Sequence, residues 1–183
     1  MTVYVGARDL QGIAFVGTHQ FILVIPDTPT FCPAISPLTQ IEIKLIQIGN
    51  KTGFTFAGHN VSGRLQIVFN QKSDVDAAIE AISKKIGFWN DWDAELKKVA
   101  HNKGDVEYIN TLVELTGNYI INERETNSPY SAFSNNCNRW AQSVIEYAGG
   151  TVGGDFSGYD PAHDKRLDKA WFGPACIKPW KAS

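Results

Sequence analysis

Cys137 stands where a cysteine can become a nucleophile, at the start of a predicted helix. Apolar residues then recur at helical spacing until two glycines end the pattern, and the stripe consists of Cys137, Trp140, Ala141, Val144, Ile145 and Ala148. In the first turn of a helix, unpaired N–H groups and the positive end of the helix dipole stabilise a thiolate. The same N–H groups can donate to an oxyanion, and a nearby imidazole would complete a minimal unit for acyl transfer.

The other two cysteines do not share this position. Cys32 lies in a proline-flanked segment and Cys176 in a tail rich in glycine and proline. Because three is an odd number, at least one thiol stays free, and a disulfide between Cys32 and Cys176 is an open alternative. A cysteine on the apolar face of a helix more often serves as a small hydrophobic residue, which is the competing interpretation of Cys137.

The residues around Cys137 carry a resemblance to a known family. The segment 135–140, with the sequence NNCNRW, precedes an apolar helix and an Ala-Gly-Gly end. It resembles the nucleophile segment of circularly permuted papain-like proteins in the NlpC-type peptidase group, which includes relatives of lecithin:retinol acyltransferase. In that group a histidine opens an early strand and an Asn-Cys helix comes last. His19 opens the run HQFILVIP, so the resemblance implies Cys137 as nucleophile and His19 as its base.

The resemblance also implies a third polar residue on a following strand. The segment 53–60, GFTFAGHN, is the best match to that strand. His59 is therefore the first candidate for orienting His19, because a hydrogen bond to the second ring nitrogen fixes the tautomer. Asn60 and Glu42 are the alternatives.

Two further kinds of group are predicted to support the nucleophile, namely oxyanion donors and substrate-binding residues. The family needs an oxyanion donor besides the backbone amide of Cys137, and Asn135, Asn136 or a loop amide are the candidates. Ser134, Asn135 and Asn136 also each qualify as the helix cap. Trp89 and Trp92 are candidates for substrate binding, with packing in a core as the alternative.

A metal site has little support in this sequence. The segment 159–164, YDPAHD, offers Asp160, His163 and Asp164, but one histidine between two aspartates in a polar loop is usually only a loop. We expect neither a metal nor a cofactor.

The first 70 residues are predicted to form strands joined by short polar turns, which favours an antiparallel meander. The predicted strands are 2–5, 19–25, 41–48, 54–58 and 65–69. Apolar residues then recur at helical spacing, with Ser73 and Asp76 in the positions of a capping box. Helices are predicted from Ser73 to about Ile86, over 91–100, from about Asp105 to Ile120, and from Cys137.

The fold class is therefore predicted as α+β, an antiparallel sheet or partial barrel packed against helices, with the permuted papain-like arrangement implied by the resemblance. Residues 1–183 are predicted to form one hydrolase domain, with strands mainly in 1–70, helices in 73–149 and an irregular tail in 150–183. A length of 183 residues suits one domain with an adequate core.

Composition excludes several classes of protein. The net charge of −2 and scattered basic residues give no reason to expect nucleic-acid binding. No segment approaches the roughly 20 apolar residues of a membrane helix, and residues 1–16 do not match a signal peptide. We expect a cytoplasmic protein in the producing cell, with export through a signal-peptide-independent secretion system as an option.

The predicted function is cysteine-dependent hydrolysis of amide or peptide bonds. The resemblance extends this to a cell-wall amidase acting as an interbacterial toxin, with peptidoglycan or another peptide as substrate and an immunity protein or secretion adaptor as partner. One alternative is a lipid acyl hydrolase or transferase. The other is a binding protein without catalytic activity on the same scaffold.

Overall fold

The chain is α+β in its architecture. The computed structural model describes residues 1–10, 17–28, 42–83, 94–156 and 165–174. Within these ranges seven strands form one sheet whose paired strands are all antiparallel, and three α-helices and a short 3₁₀ helix accompany it. The predicted α+β class with an antiparallel sheet is thus confirmed.

The described sheet has the strand order β3-β4-β2-β1-β6-β7, and β5 pairs with β4 at the end opposite to β3. The strands are β1 (Thr2–Asp9), β2 (Thr18–Ile25), β3 (Ile46–Ile48), β4 (Lys51–Val61), β5 (Arg64–Phe69), β6 (Glu95–His101) and β7 (Gly150–Val152). Strands β1 and β2 lie in the middle, so the early part of the chain supplies the centre of the sheet.

Strand β2 is buried along almost its whole length, from Thr18 to Val24. Its unbroken run of apolar residues is typical of a strand covered on both faces. Phe21 and Leu23 face one apolar cluster, while Ile22 and Val24 face the other. His19, the second residue of this strand, is buried as well.

Helices cover both faces of the sheet. Helix α1 (Lys72–Ser83) packs on the face that carries Phe21 and Leu23. Helices α2 (Asp105–Thr126) and α3 (Cys137–Tyr147) belong to the larger cluster on the opposite face. Trp140 on α3 is fully buried there, and its ring packs 5.9 Å from Phe56 and 6.3 Å from Tyr119 between ring centroids.

The helix predicted over 91–100 is wrong, because residues Glu95–His101 form strand β6. Leu96 packs in one apolar cluster and Val99 in the other, on opposite faces of the sheet, as alternation in a strand requires. The strand pairs with β1 on one side and β7 on the other. Its two long-range partners, not its local pattern, determine its conformation.

The chain after α3 contains more regular structure than the predicted irregular tail. Strand β7 extends the sheet beyond β6, and a 3₁₀ helix (Lys169–Phe172) packs against α2. The Asp168 side chain caps the 3₁₀ helix by accepting from the N–H of Ala170. Phe172 buries its ring against Tyr119, so this segment closes the larger core.

Helix α1 begins one residue before the predicted start, so Ser73 lies inside it and is not a cap. Ser73 Oγ instead accepts a hydrogen bond from Arg8. The predicted strand over 41–48 is limited to Ile46–Ile48 among the described residues. None of the described helices combines the length and apolar character that crossing a membrane requires.

Candidate active site

Cys137 is the first residue of α3, with Asn136 as the helix cap. The Asn136 side chain accepts a hydrogen bond from the N–H of Arg139 at 3.0 Å. Only 2% of Cys137 is exposed. The thiol therefore lies inside the protein at the positive end of a helix dipole, where a negative charge is favoured.

His19 brings an imidazole to this thiol from the start of β2. The residue is 3% exposed, and its side chain lies within hydrogen-bonding reach of Cys137. Burial opposes protonation of the ring, but the charges of Cys137 and Asp74 outweigh it and raise the pKa of His19 to about 9. His19 is therefore predominantly an imidazolium at neutral pH.

The Cys137 thiol has the complementary shift. Burial alone would raise its pKa, but the charge and hydrogen bond of His19 and the backbone N–H groups of Gln20 and Asn138 lower the pKa of Cys137. In the thiol form, the S–H donates to Asn138 Oδ1, which lies 3.2 Å from Sγ and does not itself favour the thiolate. The charge of His19 and the N–H donors favour a thiolate-imidazolium pair, which is the reactive form of a cysteine nucleophile.

Asp74, in the first turn of α1, is the charged group that holds His19 from the other side. Its Oδ1 lies 3.3 Å from His19 Nε2 and accepts a hydrogen bond from Arg8 Nε at 2.9 Å. The side chain is completely buried. Burial would raise the pKa of Asp74, but His19 and His59 lower it strongly, so Asp74 is a carboxylate.

His59 lies next to His19 but not in the predicted role. The two ring centroids are 4.6 Å apart, and His59 Nε2 contacts Asp74 Oδ2 at 2.9 Å. The group on the second nitrogen of His19 is therefore Asp74, because the first turn of α1 brings this carboxylate to His19 on β2 and to His59 on β4. His59 contacts the Asp74 carboxylate, and that carboxylate in turn contacts His19.

The two alternatives to His59 lie elsewhere. Asn60 accepts a hydrogen bond from Gly63 within the turn between β4 and β5. Glu42 is exposed. Neither contact pattern connects these residues with His19.

Tyr130 contributes a hydroxyl group to the thiol. Burial, followed by the charge and hydrogen bond of Cys137, raises the pKa of Tyr130 to about 12, so the phenol keeps its proton. The residue is fixed by its backbone N–H, which donates to the carbonyl of Gly63 at 2.7 Å. A neutral phenol next to a sulfur can donate to a thiolate or to an oxyanion formed beside it.

Asn135 and Asn136, the predicted oxyanion donors, have contacts that stabilise the loop before α3. Asn135 Nδ2 donates to Ser128 Oγ at 2.8 Å, and Asn136 Nδ2 donates to the carbonyl of Ala132 at 2.7 Å. The described groups that can donate to the sulfur are instead His19, Tyr130 and the backbone N–H groups of Gln20 and Asn138. The asparagines shape the loop that carries Tyr130.

Gly58 on β4 allows the start of α3 to lie close to the sheet. A Cβ at this position would come within 2.7 Å of Leu65 Cδ1 and 3.5 Å of the Cys137 Cα. A methyl group here would displace the Leu65 side chain and would be in ordinary van der Waals contact with the start of α3, where Cys137 lies.

Three of these side chains also have the composition of a metal site. His19, His59 and Asp74 each offer one ligand atom within 4.8 Å of the others. Asp74, however, already pairs with the guanidinium of Arg8, and its second oxygen is bonded to His59. These contacts explain the cluster as an acid-base unit, and we assign it no metal.

Several predicted residues lie outside the described part of the chain. They are Trp89 and Trp92, the cysteines Cys32 and Cys176, and the segment with Asp160, His163 and Asp164. Among the described residues, sequence reasoning missed Arg8, Asp74, Tyr130 and Asn138. The available signal for Asp74 was an acidic residue in a first helical turn, which is too common to identify a site.

Comparisons of the chain with models of protein families, with curated proteins and with solved structures give no match.

Proposed function

We propose that this protein is a cysteine-dependent hydrolase of amide bonds, with Cys137 as nucleophile, on a permuted papain-like scaffold. The observation that carries the proposal is the chain of contacts from Cys137 to His19 and from His19 to Asp74. These three groups come from α3, β2 and α1, which are distant in sequence. A buried cysteine with a purely structural role needs neither an imidazole nor a carboxylate beside it.

In the first half of the reaction, the Cys137 thiolate attacks the carbonyl carbon of an amide and forms a C–S bond. The carbonyl oxygen becomes an oxyanion, and in this proposal the backbone N–H of Cys137 and the hydroxyl of Tyr130 donate to it. As the oxyanion collapses, the C–N bond breaks and His19 donates its proton to the departing amine. The products are a thioester on Cys137 and a free amine.

In the second half, His19 takes a proton from water, and the resulting hydroxide attacks the thioester. The C–S bond breaks, the carboxylic acid leaves, and the thiolate-imidazolium pair is restored. Asp74 stays ionised throughout, because Arg8 and His59 hold both of its oxygens. It stabilises the imidazolium and fixes the orientation of the ring, as a triad carboxylate does.

A lipid acyl hydrolase or transferase is the second candidate. Phe133, in the loop just before Cys137, has 65% of its surface exposed. A large exposed ring near a nucleophile suits contact with an acyl chain or a membrane surface. The chemistry of Cys137 would be the same, with an ester in place of the amide.

The test is product analysis with purified peptidoglycan, a peptide library and phospholipid vesicles. We expect the wild type to release products from a peptide or peptidoglycan substrate, detected by mass spectrometry, and Cys137→Ala to lose at least about a thousandfold in rate. Cys137→Ser is the matched control for folding, since it exchanges a single atom. Equal turnover by wild type and Cys137→Ala would contradict the proposal.

A labelling experiment separates the enzyme from a non-catalytic binding protein. Iodoacetamide is a small neutral reagent, and the thiolate is the form that it alkylates. We expect Cys137 to be labelled faster than Cys32 and Cys176 near neutral pH. Slow and equal labelling of the three thiols would favour a binding protein.

A further inference from the structure

Asn138 follows the nucleophile on α3 and contacts the strand that carries the proposed base. The residue is fully buried in the first turn of α3. Its Oδ1 accepts a hydrogen bond from the backbone N–H of Gln20 at 2.9 Å and lies 3.2 Å from Cys137 Sγ. Gln20 directly follows His19 on β2, so one oxygen atom connects the backbone beside His19 with the sulfur of Cys137.

The contact between the Asn138 side chain and the sulfur carries a free-energy cost. Burying an amide side chain requires that its polar atoms find partners, and a buried carbonyl oxygen beside a sulfur disfavours negative charge there. An apolar residue would avoid both costs, but it would leave the buried backbone N–H of Gln20 without this acceptor. By accepting from that N–H, the Asn138 oxygen joins β2 to the start of α3.

We propose that Asn138 is a positioning residue, which acts on the thiol through His19 by holding the backbone next to His19 against the first turn of α3. The inference rests on the proposed function of the Cys137-His19 pair. When the sulfur is a thiol, its S–H can donate to Asn138 Oδ1, and when it is a thiolate, the backbone N–H of Gln20 remains anchored at its side. The base therefore faces the sulfur in both protonation states.

A second contact between the same elements provides a matched control. Gln142, one turn further along α3, donates from Nε2 to the Gln20 side chain at 2.8 Å. It joins the same helix to the same residue of β2. Gln142→Ala therefore removes a contact between α3 and β2 that does not include the sulfur.

The experiment measures the pH midpoint of thiolate formation at Cys137 by ultraviolet absorbance, in full-length protein with Cys32 and Cys176 changed to serine. We expect Asn138→Ala to raise the midpoint by about one pH unit, which is a tenfold loss of thiolate at pH values below both midpoints. Gln142→Ala should leave the midpoint unchanged. The midpoint is defined whether or not the protein hydrolyses any substrate, so failure of this inference is distinct from failure of the proposed function.

A double-mutant cycle separates positioning from a direct effect on the sulfur. Because Asn138 acts through His19, Asn138→Ala should not raise the midpoint further in a His19→Ala background, where removal of the oxygen beside the sulfur can only lower it. Additive shifts, an Asn138→Ala midpoint at or below the wild-type value, or an equal shift in Gln142→Ala would each overturn the proposal.

Asn138→Asp covers the case in which the alanine variant does not fold. The carboxylate has the same shape and still accepts from the N–H of Gln20, but it places a negative charge beside the sulfur. We expect the midpoint to rise by at least about one unit. An unchanged midpoint in this variant would show that the side chain does not lie against the thiol and would overturn the proposal.

Discussion

Two helices in this protein place an aspartate in the first turn next to a histidine, and the two pairs differ in almost everything else. In α1, Asp74 is fully buried and contacts Arg8, His19 and His59. In α2, Asp105 is about half exposed, 3.7 Å from His101 Nε2 and 3.0 Å from the terminal ammonium group of Met1. Each aspartate also interacts favourably with the dipole of its helix.

The difference shows which features distinguish a histidine-aspartate pair in a candidate active site from an ordinary one. His101 stacks on Tyr108, with ring centroids 4.1 Å apart, and its Nδ1 lies 3.0 Å from the carbonyl of Lys103. Nδ1 of His101 thus contacts a backbone carbonyl oxygen, which is not a reactive group, whereas the ring of His19 contacts a thiol. Burial then strengthens every charge interaction around His19, while solvent weakens those of His101.

The largest expected contrast is between the two histidines. His19→Ala should lower kcat/KM on a peptide substrate by at least about a thousandfold, because the proposed proton carrier is removed. His101→Ala should leave kcat/KM close to the wild-type value. Steady-state kinetics on folded variants, checked by circular dichroism, measure both. Turnover retained in His19→Ala would remove the imidazole from the mechanism.

The two aspartates give the next contrast. Asp74→Asn keeps the shape of the side chain but cannot stabilise an imidazolium, and we expect a loss of about a hundredfold in kcat/KM. Asp105→Asn should have almost no effect on the rate. Thermal unfolding of both variants shows whether a loss of fold contributes. Equal losses in the two variants would mean that Asp74 acts only as a helix-capping charge.

The same contrast explains which parts of the site were predictable from the sequence. His19 begins a strongly apolar strand and Cys137 begins an amphipathic helix, and both patterns are local. The prediction that the two residues meet rests on the resemblance, which implies the order of the elements. Local patterns alone do not bring residues 118 positions apart together.

Asp74 and strand β6 were not predictable for a related reason. An acidic residue in a first turn is favourable in any helix, so Asp74 and Asp105 look alike in the sequence. The segment Glu95–His101 becomes a strand because β1 and β7 flank it, and its own residues do not exclude a helix. Tyr130 lies in a loop, where no periodicity indicates which side chain points inward.

The dependence of the rate on pH sharpens the contrast between His19 and an unperturbed histidine. The reaction needs protonated His19 and the Cys137 thiolate. Since the pKa of His19 is raised to about 9, kcat/KM should fall about tenfold per unit above that pH. Since the pKa of Cys137 is lowered, the acid limb should lie below the ordinary thiol value. A rate that falls above about pH 6.5, the ordinary value for histidine, would contradict the buried ion pair.

His59 gives the smallest expected effect and the finest test of the arrangement around Asp74. His59→Ala removes one hydrogen bond to a carboxylate that keeps Arg8 and His19, so we expect a loss of about fivefold in kcat. KM should change little, because the residue acts on the orientation of His19. If His59 itself held the second nitrogen of His19, the loss would equal that of Asp74→Asn. The ratio of these two losses therefore distinguishes a carboxylate-held base from one held by a second imidazole.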